Sequence, residues 1–185
     1  KKLDIKNKNF YLVSAHREEN IESNDRLKNI LNIIEHLSVN HNLPIIVSTH
    51  PRLRKKLKGY SKKNIILHKP FSFTDYVNLQ KHSKIVISDS GTINEEASIL
   101  GFNAINLREA HERPEANEEA VTIMTGTNLR NVINAIKYFE NNPLTSNKKE
   151  IIASYSKKNV SDTIVKIIIS FINYIKQNNY KKNIN

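Results

Sequence analysis

The chain has 185 residues, no cysteine and a formal net charge of +11. That length allows one domain with a sizeable core, while the lack of cysteine excludes a disulfide frame and a thiolate metal site. No apolar run approaches the roughly 18–20 residues of a membrane helix and no secretory signal opens the chain, so it reads as soluble and cytoplasmic, with a positive surplus suited to an anionic partner.

Lys1 to Asn9 is polar and basic and reads as an interdomain linker, a cut between domains rather than a natural start. Phe10 to Ala15 is a strand. His16-Arg17-Glu18-Glu19-Asn20 is a charged loop at its carboxyl end. Ser23 or Asn24 caps a helix whose Leu27, Ile30, Leu31, Ile34 and Leu37 share one face. Pro44 to Ser48 is the second strand, followed by His50-Pro51-Arg52 and a short basic helix, Leu53 to Lys58. Asn64 to Leu67 is the third strand and leads to Lys69-Pro70-Phe71. Thr74 to His82 is a helix with Tyr76, Val77 and Leu79 inward, and Lys84 to Ile87 is the fourth strand.

Next comes Ser88-Asp89-Ser90-Gly91-Thr92-Ile93-Asn94-Glu95-Glu96, with Ile93, Ala97, Ile99 and Leu100 at helical spacing up to Gly101. This is strand, tight turn, helix. Ser90 or Thr92 is expected to cap the helix, Thr92 with Glu95 in a capping box. Gly91 lets the backbone approach a ligand, and a helix start of this kind binds phosphate through oriented N–H donors and partial positive charge. Glu96 has a plain reading, a carboxylate favouring the helix dipole, and a sharper one, an acceptor for the two hydroxyls of a ribose.

Phe102 to Leu107 is the fifth strand, Arg108 to Asn117 a charged loop, and Ala120 to Met124 a short sixth strand. Asn128 to Phe139 and Asn147 to Ser154 are helices. Ser161 to Gln177 is a long helix with apolar Ile164, Ile167, Ile168, Phe171, Ile172 and Ile175, read as core or interdomain packing. The residues from Asn178 on form a polar tail expected to fray. The resulting division is a linker over 1–9, a nucleotide-binding domain over 10–158, a helix over 159–178 and a tail over 179–185.

Strands alternate with helices, and the strands are apolar throughout rather than alternating. That pattern predicts an α/β fold with a parallel sheet covered on both faces. Ligands of such sheets bind beyond the carboxyl ends of the strands. His16-Arg17, His50-Pro51-Arg52, Asp89 to Thr92 and Arg108 to Glu115 all fall at those ends. Neither GxGxxG nor GxxxxGK[ST] occurs. Nucleic acid is not the expected partner, because the basic clusters (Arg52 to Lys58, Lys62-Lys63, Lys148-Lys149, Lys181-Lys182) are dispersed along the chain.

Three segments stand in order: Ser14-Ala15-His16-Arg17-Glu18-Glu19-Asn20; Asp89-Ser90-Gly91-Thr92 with Glu95-Glu96; and Glu112-Arg113-Pro114-Glu115-Ala116. Together they resemble the carboxyl-terminal half of the non-hydrolysing UDP-N-acetylglucosamine 2-epimerase family over about residues 10 to 177. The resemblance implies a Rossmann-like doubly wound sheet, one half of a GT-B arrangement, with a UDP-sugar in the cleft between halves. It implies that His16 is catalytic, with Arg17 beside it near the diphosphate and sugar. Ser90, Gly91 and Thr92 hold the diphosphate, Glu96 grips the ribose, and Arg113 pairs with phosphate. Phe71 and Tyr76 line the uracil site, and His50 lies near a regulatory UDP-sugar site of some relatives. No cofactor and no metal are implied.

The family inverts carbon 2 of the sugar by eliminating UDP and adding it back to the opposite face. The carboxylates that serve carbon 2 belong to an amino-terminal Rossmann-like domain. These residues alone are therefore expected to bind UDP weakly without turnover, and the complete enzyme to be a homodimer. Ser90-Gly91-Thr92, Arg108 to Glu115 and Asn159-Val160-Ser161-Asp162 resemble the capsule and O-antigen enzymes that convert UDP-2-acetamido-2,6-dideoxy-L-talose to UDP-N-acetyl-L-fucosamine. The alternatives are a GT-B glycosyltransferase half and a non-catalytic nucleotide-sugar-binding domain.

Overall fold

The computed structural model describes residues 7–110, 114–142 and 151–182. Among these, strands β1 (Tyr11–Ala15), β2 (Ile45–Thr49), β3 (Ile65–His68), β4 (Ile85–Ser88), β5 (Ala104–Asn106) and β6 (Ile123–Met124) form one sheet in the order β3-β2-β1-β4-β5-β6. All neighbours run parallel, so every connection is a crossover that carries helix. The chain winds outward from β1 in both directions, and the reversal of strand order lies between β1 and β4.

The unbroken apolar character of the strands has its cause in this layout. Tyr11, Val13, Ile45, Val47, Ile85, Ile87 and Ile105 point to one face. There they meet Ile30, Ile33, Ile34 and Leu37 of α2 (Asn24–Asn40) and Val132, Ala135, Ile136 and Phe139 of α7 (Leu129–Asn141). The alternate residues Leu12, Ile46, Val86 and Ala104 point to the other face and are equally buried. Full burial of one such side chain stabilises by about 1.5–3 kcal/mol.

The remaining helices are α1 (Glu18–Glu22), α3 (Pro51–Lys56), α4 (Phe73–His82), α5 (Ile93–Leu100), α6 (Pro114–Glu118), α8 (Ala153–Ser156) and α9 (Val160–Lys182). Ile21, Leu53 and Leu57 form a small apolar cluster that anchors α1 and α3 beside the sheet. Gly101 closes α5 in the left-handed conformation, at φ 70°, with its N–H on the Ala97 carbonyl.

Several expectations are corrected. The charged loop after β1 folds at Glu18 into α1, and the charged loop after β5 contains α6 from Pro114. Both starts suit a first turn, with acidic residues in each and proline at the head of α6. Helix α3 begins at Pro51, two residues early, because proline is pre-set for the first helical position. Helix α9 continues to Lys182, where a frayed tail was expected. Residues 147–150 of the helix expected over Asn147 to Ser154 lie outside the described residues, and α8 begins only at Ala153.

The chain divides into two compact units, Lys1–Ile152 and Ala153–Asn185. In the second, Ile164, Ile167, Ile168, Phe171, Ile172 and Ile175 of α9 are exposed. Among the described residues no helix is long and apolar enough to cross a membrane.

Candidate functional site

The reversal point between β1 and β4 is organised by one carboxylate. Asp89 follows β4 directly and is fully buried. It accepts the His16 N–H on both oxygens at 3.1 Å, the Arg17 N–H at 3.0 Å and Asn20 Nδ2 at 3.0 Å. His16 Nδ1 lies 3.2 Å from Oδ1. Arg17, the cap residue of α1, has no side-chain cap bond of its own. Asp89 instead takes up backbone donors at this helix entry, the service an N-cap side chain would give locally.

Burial alone would raise the Asp89 carboxyl. The hydrogen bonds from His16, from Asn20 and from two backbone N–H groups outweigh it and hold the carboxyl below its ordinary value. The same contact raises His16: the Asp89 hydrogen bond and charge, with a smaller push from Glu96, exceed the opposing effects of burial and Arg17. The cationic form of His16 is thus favoured more than in a free imidazole, and its Nδ1 is turned to Asp89. Arg17 is fixed too, its Nε donating to the Asp89 carbonyl at 3.1 Å.

The turn after Asp89 departs from expectation. Thr92 is the N-cap of α5 but its side chain makes no cap bond. Its Oγ1 donates to Glu96 Oε1 at 2.5 Å and meets Ser90 Oγ at 3.0 Å. The capping box is absent because the Glu one turn in competes for the threonine hydroxyl. Nor are all the turn's donors open to a ligand. The Ser90 N–H donates to Ser88 Oγ at 3.1 Å and the Thr92 N–H to Ser90 Oγ at 3.3 Å. The Gly91 N–H meets no acceptor among the described residues. Gly91 is not among the glycines held at positive φ, which are Gly59, Gly101 and Gly126. Its value to the turn is the missing side chain.

Ser14, His16, Ser48, His50, Pro70, Phe71, Phe73, Tyr76 and Ser90 enclose a crevice of about 410 Å³ at the carboxyl ends of β1 and β2. Tyr76 forms its floor. Its hydroxyl shares a 2.7 Å hydrogen bond with Ser14 Oγ, which shares one of 2.8 Å with Ser88 Oγ. A line of hydroxyls therefore joins the aromatic floor to the Ser90 turn. Burial is the main reason the Tyr76 phenol is pushed up to about 12. Phe71 stacks on His68, centroids 4.0 Å apart, and Phe73 stands 82 % exposed at the mouth. His50, expected near a regulatory UDP-sugar site, caps α3 and lines this same crevice.

Of the expected site residues, His16, His50, Phe71, Tyr76 and Ser90 converge here. Glu96 is half-buried just beyond, bonded to exposed Thr92 and to Gln80 Nε2. Arg113 lies outside the described residues. Sequence reasoning passed over Asp89 as the anchor of His16, and also Gln80, Ser14 and Ser88. A signal existed for two of them. Asp89 is a carboxylate directly after an apolar strand, and Gln80 is a lone amide four residues after Tyr76 on the inward face of α4. Among the described residues no group of three or more His, Cys, Asp and Glu could hold a metal.

The family model described as UDP-N-acetylglucosamine 2-epimerase matches residues 1–169. The chain belongs to this epimerase family. The Methanocaldococcus jannaschii UDP-N-acetylglucosamine 2-epimerase is 34 % identical over 139 residues, which are 71 % of this chain and 38 % of that protein. The solved Rickettsia bellii epimerase superposes with TM-score 0.74 at 35 % identity, over 94 % of this chain and 47 % of its own. The Neisseria meningitidis epimerase, solved bound to UDP-GlcNAc, gives TM-score 0.73 at 31 % identity, over 88 % and 45 %. The chain thus spans less than half the length of each of these epimerases.

Proposed function

We propose that the chain is the nucleotide-binding half of a UDP-sugar 2-epimerase and that UDP lies in the crevice beside Asp89. The observation that carries the reading is the convergence of His16, Phe71, Tyr76 and Ser90, from separate segments, on one cavity next to a half-buried Glu96. In this reading uracil lies against Phe71 and Tyr76, and the ribose hydroxyls meet Glu96. The diphosphate sits at the Gly91 N–H and the start of α5, where the helix dipole favours negative charge. His16, Arg17 and Arg113 surround it, with the hydroxyls of Ser90 and Thr92, and His50 remains the candidate for a regulatory contact.

The chemistry follows from the Asp89–His16 pair. Elimination of UDP places negative charge on the diphosphate oxygen as the bond to carbon 1 breaks. An imidazolium held in place before reaction stabilises that charge without reorganising. The carbon 2 carboxylates come, in this reading, from an amino-terminal Rossmann-like domain, and the complete enzyme is a cytoplasmic homodimer. It supplies precursors for capsule or O-antigen polysaccharide, with UDP-2-acetamido-2,6-dideoxy-L-talose as substrate on the resemblance of the Ser90-Gly91-Thr92 segment.

Titration of the 185-residue chain with UDP, followed by backbone amide NMR, tests the binding site. Gly91, Ile93 and Asn94 should move most, and a region from Ser90 to Glu96 that stays still at saturating UDP rejects the placement. In the complete enzyme, His16→Ala should lower turnover by about 10²–10³-fold, the scale of one charge-stabilising donor, and change UDP affinity far less. Equal loss of both would remove His16 from the chemistry.

A further inference from the structure

The side chain of Gln80 is fully buried on α4. Its Nε2 donates to Glu96 Oε2, while its Oε1 has no hydrogen-bond partner among the described residues. A buried amide with an idle oxygen is a liability to the fold, since an apolar side chain of similar size would fill the same space with no polar atom unpaired. Stability therefore supplies no reason for the amide. The carboxylate it touches does.

The amide cannot be turned over, because its oxygen would then face the Glu96 carboxylate. The donor orientation is fixed by chemistry. The other carboxylate oxygen accepts Thr92 Oγ1 at 2.5 Å. Two donors, one from α4 and one from the N-cap of α5, thus hold the two oxygens of Glu96 from different elements. Each oxygen keeps a further acceptor position. A carboxylate clamped in this way presents a pair of acceptors with one set orientation, which matches the spacing of two adjacent hydroxyls.

We infer that Gln80 is a positioning residue for Glu96 and, through it, determines preference for a ribonucleotide over its 2′-deoxy counterpart. The inference rests on the reading that a uridine nucleotide occupies the crevice. Gln80 touches no part of the nucleotide. It sets the plane of the group that does.

The test is calorimetric titration of the unmodified chain, Q80L and Q80M with UDP and with 2′-deoxy-UDP, alongside thermal unfolding. The unmodified chain should prefer UDP by about tenfold, the effect of one charge-assisted hydrogen bond. Q80L should bring the ratio of the two affinities close to one by weakening UDP alone, with an unfolding temperature equal to or above the original. If Q80L fails to fold, Q80M, which also lacks the donor but keeps an unbranched stem, must lower the ratio in the same way. A variant that folds and keeps the full UDP preference overturns the role of Gln80 while leaving the nucleotide site intact. An unmodified chain that binds neither ligand overturns the nucleotide reading and this inference with it, and one that binds both equally overturns the ribose contact of Glu96 and this inference while leaving the nucleotide site intact.

Discussion

The two sides of the crevice are built by opposite means. On the β4 side, Asp89 is buried and bonded to His16, Arg17 and Asn20. On the α4 mouth, Phe73 is 82 % exposed and Phe71 rests on the His68 ring. Groups that must face charge are held by buried polar bonds, which are directional and costly to leave unmade. Groups that offer a flat apolar surface need no such frame, since contact with a base is tolerant of small shifts. One side should therefore be sensitive to substitution through folding, and the other only through binding.

The strongest attempt to break this contrast is Asp89→Ala. It strands the His16 and Arg17 N–H groups and the Asn20 amide, and should cost about 3–5 kcal/mol in urea unfolding, the scale for removing one partner of a buried ionic cluster. A loss below about 1 kcal/mol, the scale of a surface pair, would mean that Asp89 does not organise the entry to α1. Tyr76→Phe tests the link between the two sides. It removes one hydroxyl from the line through Ser14 to Ser88, and should lower stability by about 1 kcal/mol.

Acid–base titration sharpens the same contrast at smaller scale. His16 is raised above its ordinary 6.5, so its contribution to stability is complete below that value and is lost as pH rises through the native one. Asp89 is lowered below its ordinary 3.8, so its contribution is present above that value and is lost as pH falls through the native one. Between the two the pair contributes fully. Unfolding temperatures measured from pH 3 to pH 8 should show both edges, and His16→Gln should remove the upper one. Phe73→Ala should have the least effect on folding, within about 0.5 kcal/mol for an exposed side chain, while UDP affinity falls several-fold. Unchanged affinity would take Phe73 out of the base site.

The alternation of strands and helices was legible because its signals are local. Apolar runs, helical spacing and the stop at Gly101 each depend on a few neighbouring residues. The errors had two sources, competition between nearby groups and partners far along the chain. Thr92 can bond the backbone or Glu96, and composition does not say which one wins. The charged stretch after His16 reads as a loop because its helix is short and borrows its capping acceptor from Asp89, far along the chain. Arg17 and His16 could be named from the motif they share, but Asp89 could not be given to them as a partner.

What the sequence by itself determined is the alternation of strands and main helices, the covered parallel sheet and the chemical character of the turn around Gly91. Only the tertiary structure decided that β1 lies beside β4, which brings His16 to a carboxylate 73 positions away, and that α4 sets Gln80 against Glu96. The physical reason is that propensity and hydrophobic period act within a few residues. The pairing of parallel strands is a long-range choice, reached through crossovers and settled by which faces bury best together.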